Sequence, residues 1–83
     1  MKTIGLIGGL SWQSSIEYYS IINHQLSDRL GGLHSGKIVL VSLDFAQIEA
    51  RQEQERWQDV SGAVVTAAQR AEAGGAEVRL VCS

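Results

Sequence analysis

The chain has 83 residues, of which 45% are hydrophobic and 19% are charged, and its formal net charge is −2. This composition indicates one globular domain at most and argues against a disordered chain. The weak negative charge, without any basic run, argues against a nucleic-acid-binding surface. No apolar stretch approaches the roughly 20 residues of a membrane span, and no signal peptide precedes the first predicted strand. Because the single cysteine, Cys82, also fits a reducing compartment, we expect a cytoplasmic protein with no membrane or nucleic-acid partner.

The N-terminal stretch predicts a buried strand, a glycine turn and a helix, in that order. Residues 4–7 form an apolar run that is long enough for a buried strand and too short for a helix. Gly8-Gly9 ends this run; Ser11 is one candidate N-cap for the helix, while Ser14 with Glu17 forms a capping-box pattern. Glycine lets the backbone approach an anion, and a helix N-terminus offers N–H groups. The turn therefore predicts a site for a phosphate or a carboxylate, and the choice between them stays open.

The first helix and the second strand follow from the apolar pattern. Helical spacing continues to about Leu30, and Gly31-Gly32 ends the helix. Residues 37–43 are predicted to form the second strand, and the unbroken apolar run at 38–41 within it favours a parallel strand covered on both faces.

The second half of the chain predicts a short turn, a second long helix and a third strand. Asp44 is the expected N-cap of a short turn through Ala50, and the polar run at 51–56 is typical of a solvated helix face or loop. The helix at 57–73 carries alanines on its apolar side, which suit close packing against a sheet. Residues 76–82 begin the third strand.

The element order β-α-β-α-β predicts an α/β fold, a three-layer unit with a parallel sheet. Right-handed crossovers place the first strand between its partners, in the order 2-1-3. Ligands of open parallel sheets bind beyond the carboxyl ends of the strands. Three segments are expected to meet there: residues 8–15, residues 42–52 and Cys82-Ser83.

Several chemically active side chains carry only a weak signal when each is taken alone. A lone cysteine on an apolar strand is more often an inert buried residue than a nucleophile. His24 and His34 have no further ligand at metal spacing, so we expect surface residues and no metal. Trp12 and Tyr18-Tyr19 are expected in the core. The glycine turn matches neither the dinucleotide-binding pattern nor the P-loop pattern.

Four motifs stand in register along nearly the whole chain. They are Ile4-Gly-Leu-Ile-Gly-Gly-Leu-Ser-Trp12 followed by Ser14-Ser15 and Tyr18-Tyr19; Arg29-Leu-Gly-Gly-Leu-His-Ser35; Ser42-Leu-Asp-Phe45; and Gly75-Ala-Glu77 before a strand that ends in cysteine. Together they resemble the opening of the aspartate/glutamate racemase family. The resemblance is strongest to its branch of broad-specificity amino-acid racemases, which begin with a Gly-Gly-Met-Ser-Trp turn.

The resemblance implies a role for four residues. Cys82 falls on the first of two catalytic cysteines, and Leu10, at the family's methionine, and Gln52 fall on positions that contact the substrate. Ser83 stands where the family has a threonine whose motif holds the substrate carboxylate. Family members use no cofactor: one cysteine thiolate removes the Cα proton of an amino acid, acidic or other, and a second donates one on the opposite face.

The chain departs from the family pattern in its extent. A family member with two such α/β domains is about three times as long as this chain. Residues 1–83 are therefore expected to be the incomplete N-terminal part of a racemase-type domain, which is inactive by itself. The main alternative is a non-catalytic module that binds an anion or a partner through the glycine turn. Single-cysteine catalysis, as in relatives that decarboxylate malonates, has no support beyond Cys82. The preferred amino acid and homo-oligomerisation stay open.

Overall fold

The computed structural model describes residues 1–54 and 57–82, which form one parallel sheet and three helices. In chain order the elements are β1 (Ile4–Gly8), α1 (Trp12–Leu30), β2 (Ile38–Ser42), α2 (Phe45–Glu53), α3 (Trp57–Ala73) and β3 (Val78–Val81). Within the described ranges, no helix is both long and apolar enough to cross a membrane.

The sheet has the predicted strand order and direction. β1 lies between its partners in the order β2-β1-β3, and both pairings are parallel. Leu6 of β1 aligns with Leu40 of β2 and with Leu80 of β3, so these three leucines share one face of the sheet. The predicted α/β fold with strand order 2-1-3 is therefore confirmed.

The face of the sheet that packs on α3 is built from small side chains. Ala67 and Ala71 of α3 are buried, and so is Ala76 just after the helix. A Cβ atom on Gly5 of β1 would lie 2.9 Å from the Ala76 Cβ and 3.1 Å from the Ala71 Cβ. Glycine at this position therefore lets α3 approach the central strand closely, at the packing density of a protein interior.

The opposite face of the sheet is covered by α1 and is much more open. Leu6 is fully buried there, whereas Leu40 is 47% exposed and lines a groove with Trp12, Ile16 and Tyr19 of α1. The expectation that β2 is covered on both faces is wrong, and so is the core placement of Trp12 and Tyr19. One helix, about 10 Å wide, covers roughly two strands that lie 4.8 Å apart, and its flanks stay in solvent.

The helix ends show which capping patterns are used. α1 begins at Trp12 with Ser11 as its N-cap in extended backbone, so Ser14 lies inside the first turn and the predicted capping box is wrong. The Ser11 hydroxyl donates to the Gln13 Oε1 at 3.3 Å. Asp44 caps α2 as predicted, because its Oδ1 accepts a hydrogen bond from the Ala46 N–H at 3.1 Å. α2 is also longer than the short turn expected, since it continues to Glu53.

Candidate functional site

The carboxyl ends of the three strands lie side by side at one edge of the sheet. Gly8 of β1 aligns with Ser42 of β2. The Leu43 N–H donates to the Gly8 carbonyl at 2.8 Å, and the Cys82 N–H donates to the Ile7 carbonyl at 2.8 Å. The three segments that were predicted to meet, which begin at Gly8, Ser42 and Cys82, therefore start side by side. They do so at the edge where open parallel sheets bind ligands.

The Gly8-Gly9 turn is held against the segment that follows β2. Gly9 has a φ of 90°, a backbone conformation that favours glycine. A Cβ atom at this position would overlap the backbone carbonyl oxygen of Leu43. The turn thus requires glycine at position 9 for both its dihedral angle and the close approach of Leu43.

Ser15 lies beneath this turn, and its importance is not apparent from the sequence. It is only 4% exposed, and it is the one buried polar residue in the described part of the chain. Its Oγ accepts a hydrogen bond from the Gly9 N–H at 3.3 Å. The sequence pattern points instead to Ser11 and Ser14, because capping rules depend on helix position and carry no information on what lies below the helix. The Gly9 N–H is consequently engaged within the protein.

Leu10 follows the turn and lies at the edge of an open hollow. The hollow has a volume of about 410 Å³ and is lined by Leu10, Ser11, Trp12, Gln13 and Phe45. Phe45 is the first residue of α2, so the hollow lies between the segments that follow β1 and β2. Cys82 is not among the residues that line it. Leu10 and Cys82 therefore lie at the same edge of the sheet, where only Leu10 lines the hollow.

Cys82 is fully buried at the end of β3 and has no disulfide partner. Burial raises the pKa of its thiol, because removal from water disfavours the thiolate. At neutral pH the residue is therefore a thiol in this structure, a form that can donate a proton but cannot accept one.

The structure gives less information on the remaining predicted site residues. Gln52 lies in α2, but its side chain falls outside the described part of the structure, and Ser83 lies outside the described residues altogether. His24 and His34 are exposed, as predicted. Within residues 1–54 and 57–82, no group of three or more metal-ligating side chains comes together.

Comparison with known proteins gives the fold a family context. No family model matches the sequence. Over its whole length, however, the chain is similar to a solved structure described as "Crystal structure of a putative Asp/Glu Racemase from Yersinia pestis", with 48% sequence identity and a TM-score of 0.97. The resemblance to the aspartate/glutamate racemase family is confirmed. The chain spans 36% of the length of that racemase-like protein.

The racemase likeness covers the backbone at the whole sheet edge described above. At 48% identity and a TM-score of 0.97, the turn at residues 8–9, the start of α2 and the end of β3 all belong to the shared fold. The assignments of Cys82, Leu10, Gln52 and Ser83 to particular roles stay predictions.

Proposed function

We propose that the chain is the N-terminal part of a cofactor-independent amino-acid racemase of the aspartate/glutamate type, with Cys82 as one of two catalytic cysteines. The observation that carries this proposal is the position of Cys82 directly after β3, where its N–H donates to the carbonyl of Ile7, the residue before the Gly8-Gly9 turn. The similarity to a structure described as a putative Asp/Glu racemase supports the same reaction class. The substrate is then a free α-amino acid, with aspartate and glutamate the first candidates.

The proposed reaction needs a thiol and a thiolate on opposite faces of the substrate. One cysteine thiolate removes the Cα proton, and the electron pair left on Cα is delocalised into the adjacent carboxylate. A thiol on the other face then delivers its proton to Cα, which inverts the centre and leaves the protonation states of the two cysteines exchanged.

Leu10 and Gln52 are proposed to contact the substrate, and Ser83 to take part in holding its carboxylate. Leu10 lines a hollow at the edge of the sheet where the strands end, together with Phe45. An apolar wall with a few polar groups is the ordinary composition of a small-molecule site. The described residues contain one cysteine, so the two-base reaction needs a second thiol from outside them.

A chimeric protein tests the catalytic proposal. The chain replaces the matching 36% of the Yersinia pestis protein, and the chimera is incubated with enantiopure L-aspartate or L-glutamate. We expect the D-enantiomer to appear by chiral chromatography, and we expect Cys82→Ser to abolish it. A Cys82→Ser chimera that racemises as fast as the unmodified chimera overturns the role of Cys82.

The isolated 83-residue chain gives a second test. Since a single thiol cannot both remove and deliver a proton on opposite faces, we expect no interconversion of enantiomers. The matched control is Cys82→Ala. If the unmodified chain racemises either amino acid and the alanine variant does not, the two-cysteine requirement is wrong for this protein.

One feature favours partner binding as a second candidate function. Trp12, Ile16, Tyr19 and Leu40 form a partly exposed apolar groove of about 290 Å³. Exposed apolar patches of this kind are commonly interaction surfaces. Light scattering on the isolated chain, with Ile16→Ser as the comparison, tests whether the groove mediates association.

A further inference from the structure

Ser15 fits into the space that a side chain at position 8 would need. A Cβ atom built on Gly8 would overlap the Ser15 Oγ and would lie 3.0 Å from the Ser15 Cβ. The missing side chain of Gly8 therefore admits the Ser15 hydroxyl directly beneath the turn. The same hydroxyl oxygen accepts the Gly9 N–H at 3.3 Å in a buried setting.

Two hydrogen bonds hold the turn on opposite sides. The Gly8 carbonyl accepts the Leu43 N–H at 2.8 Å, which ties the turn to the end of β2. The Ser15 Oγ accepts the Gly9 N–H, which ties it to α1. Because a buried N–H without an acceptor is unfavourable, loss of the hydroxyl changes the turn locally, at Gly9 and at the residue after it.

We propose that Ser15 is a positioning residue, which fixes the Gly8-Gly9 turn and thereby sets the place of Leu10 at the sheet edge. This inference rests on the proposed function for the meaning of Leu10 as a substrate contact. It also limits how the substrate is held. The Gly9 N–H is already bonded to Ser15, so a substrate carboxylate must be bound by other groups.

Amide hydrogen exchange measured by NMR on the 83-residue chain tests this inference. In Ser15→Ala we expect the Gly9 amide to exchange about tenfold faster, since a hydrogen bond of about 1.4 kcal/mol is lost. The amides of Leu43 and Cys82, which donate to the backbone of β1, should keep their protection and report that the fold is intact. The Leu10 amide resonance should move with that of Gly9.

Ser14→Ala is the matched control, because it makes the same chemical change one residue earlier on α1. In the described part of the chain the Ser14 side chain makes no hydrogen bond, so this variant should leave the Gly9 and Leu10 amides unchanged. Equal effects from Ser14→Ala and Ser15→Ala contradict the inference. So does a Gly9 amide that exchanges at the same rate with and without the Ser15 hydroxyl.

A second variant covers the case in which Ser15→Ala does not fold. Ser15→Cys keeps the shape of the side chain but offers a weaker acceptor. A folded Ser15→Cys chain with faster exchange at Gly9 alone supports the inference, and one with exchange at the original rate overturns it.

Titration of the unmodified chain with L-glutamate separates the inference from the proposed function. A shift of the Leu10 amide on titration supports Leu10 as a substrate contact. No shift, combined with the expected Gly9 response to Ser15→Ala, counts against the proposed substrate contact and leaves the positioning of the turn by Ser15 established.

Discussion

The two faces of the sheet are packed in opposite ways. On the face covered by α3, glycine and alanine allow close approach, and Ala67 and Ala71 are buried. On the face covered by α1, large side chains such as Trp12 and Ile16 remain 59% and 57% exposed. The small residues thus make the tighter interface, because close backbone approach removes more surface from water than large side chains that reach past the edge of the sheet.

This difference has a consequence for the candidate site. Gly9 fits tightly against Leu43, and the turn that carries it is also held from the α1 side through Ser15. The turn therefore depends on a polar bond on the face where apolar packing is weaker.

Gly9→Ala should destabilise the chain most. The substitution adds a side chain at a φ of 90° and forces it into the Leu43 carbonyl. We expect the free energy of unfolding to fall by about 3 kcal/mol or more, as measured by urea denaturation followed by circular dichroism.

The control for this substitution is Gly31→Ala. Gly31 also has a positive φ, of 105°, but a Cβ atom there meets nothing within 4 Å. Its φ of 105° and ψ of 161° lie in a region that is essentially open to glycine only, so the substitution should cost about 1–3 kcal/mol from the dihedral angles alone. If the two variants are equally stable, the contact between the turn and Leu43 is less close than the structure shows.

Gly5→Ala tests the tight packing on the α3 face. The added methyl group would lie 2.9 Å from the Cβ of Ala76, which follows α3, and 3.1 Å from the Cβ of Ala71 within α3, so both must move away from the sheet. We expect a loss of about 1–3 kcal/mol by the same denaturation measurement. Gly62→Ala, in α3 with open space around it, should instead stabilise the chain by about 0.5–1 kcal/mol. A Gly5→Ala chain as stable as Gly62→Ala would show that this interface has room to spare.

Ile16→Ser tests the open packing on the α1 face. Because Ile16 is mostly exposed, the change in unfolding free energy should stay within about 0.5 kcal/mol.

We further predict that the chain self-associates, since β3 is exposed along its length and belongs to the edge of the sheet. Ile16→Ser should reduce association in light scattering if the groove takes part, and should leave it unchanged if β3 alone is responsible.

Ionisation of the Cys82 thiol should lower the free energy of unfolding, and only at high pH. Burial raises the pKa of its thiol in the folded chain, so the folded state favours the protonated form. Below the pKa of an ordinary cysteine both states are protonated, and the contribution to stability is fully present. As the pH rises through the folded pKa, the unfolded chain ionises first and this contribution is lost.

Two measurements check this pH dependence. The decline in unfolding free energy at alkaline pH should be smaller in Cys82→Ala, which has no thiol to ionise. The rate of the iodoacetamide reaction with Cys82 should rise at higher pH in the folded chain than in the same chain unfolded in concentrated guanidinium chloride. A profile shifted to lower pH would mean that the sheet edge activates the thiol.

The site was only partly predictable from the sequence. The motif around Gly8-Gly9, the strand order and the convergence of the segments after β1, β2 and β3 all follow from local patterns and right-handed crossovers. The burial of Ser15 does not follow from local patterns. A serine in the first turn of a helix has the same sequence signature whether its side chain faces water or packs against a glycine at the end of a strand. Its role depends on the absence of a side chain at Gly8, a residue seven positions away.

The sequence by itself determined the elements and their order, since apolar periodicity and glycine breaks act over a few residues. It also determined the family likeness, because four motifs keep their register along the chain. Only the tertiary structure decided which apolar residues are buried. Trp12, Tyr19 and Leu40 have the composition of a core, but a single helix cannot cover their whole face of the sheet. The tertiary structure likewise set the thiol of Cys82 away from water and raised its pKa, because burial is a property of everything packed around a residue and not of the residue's neighbours in sequence.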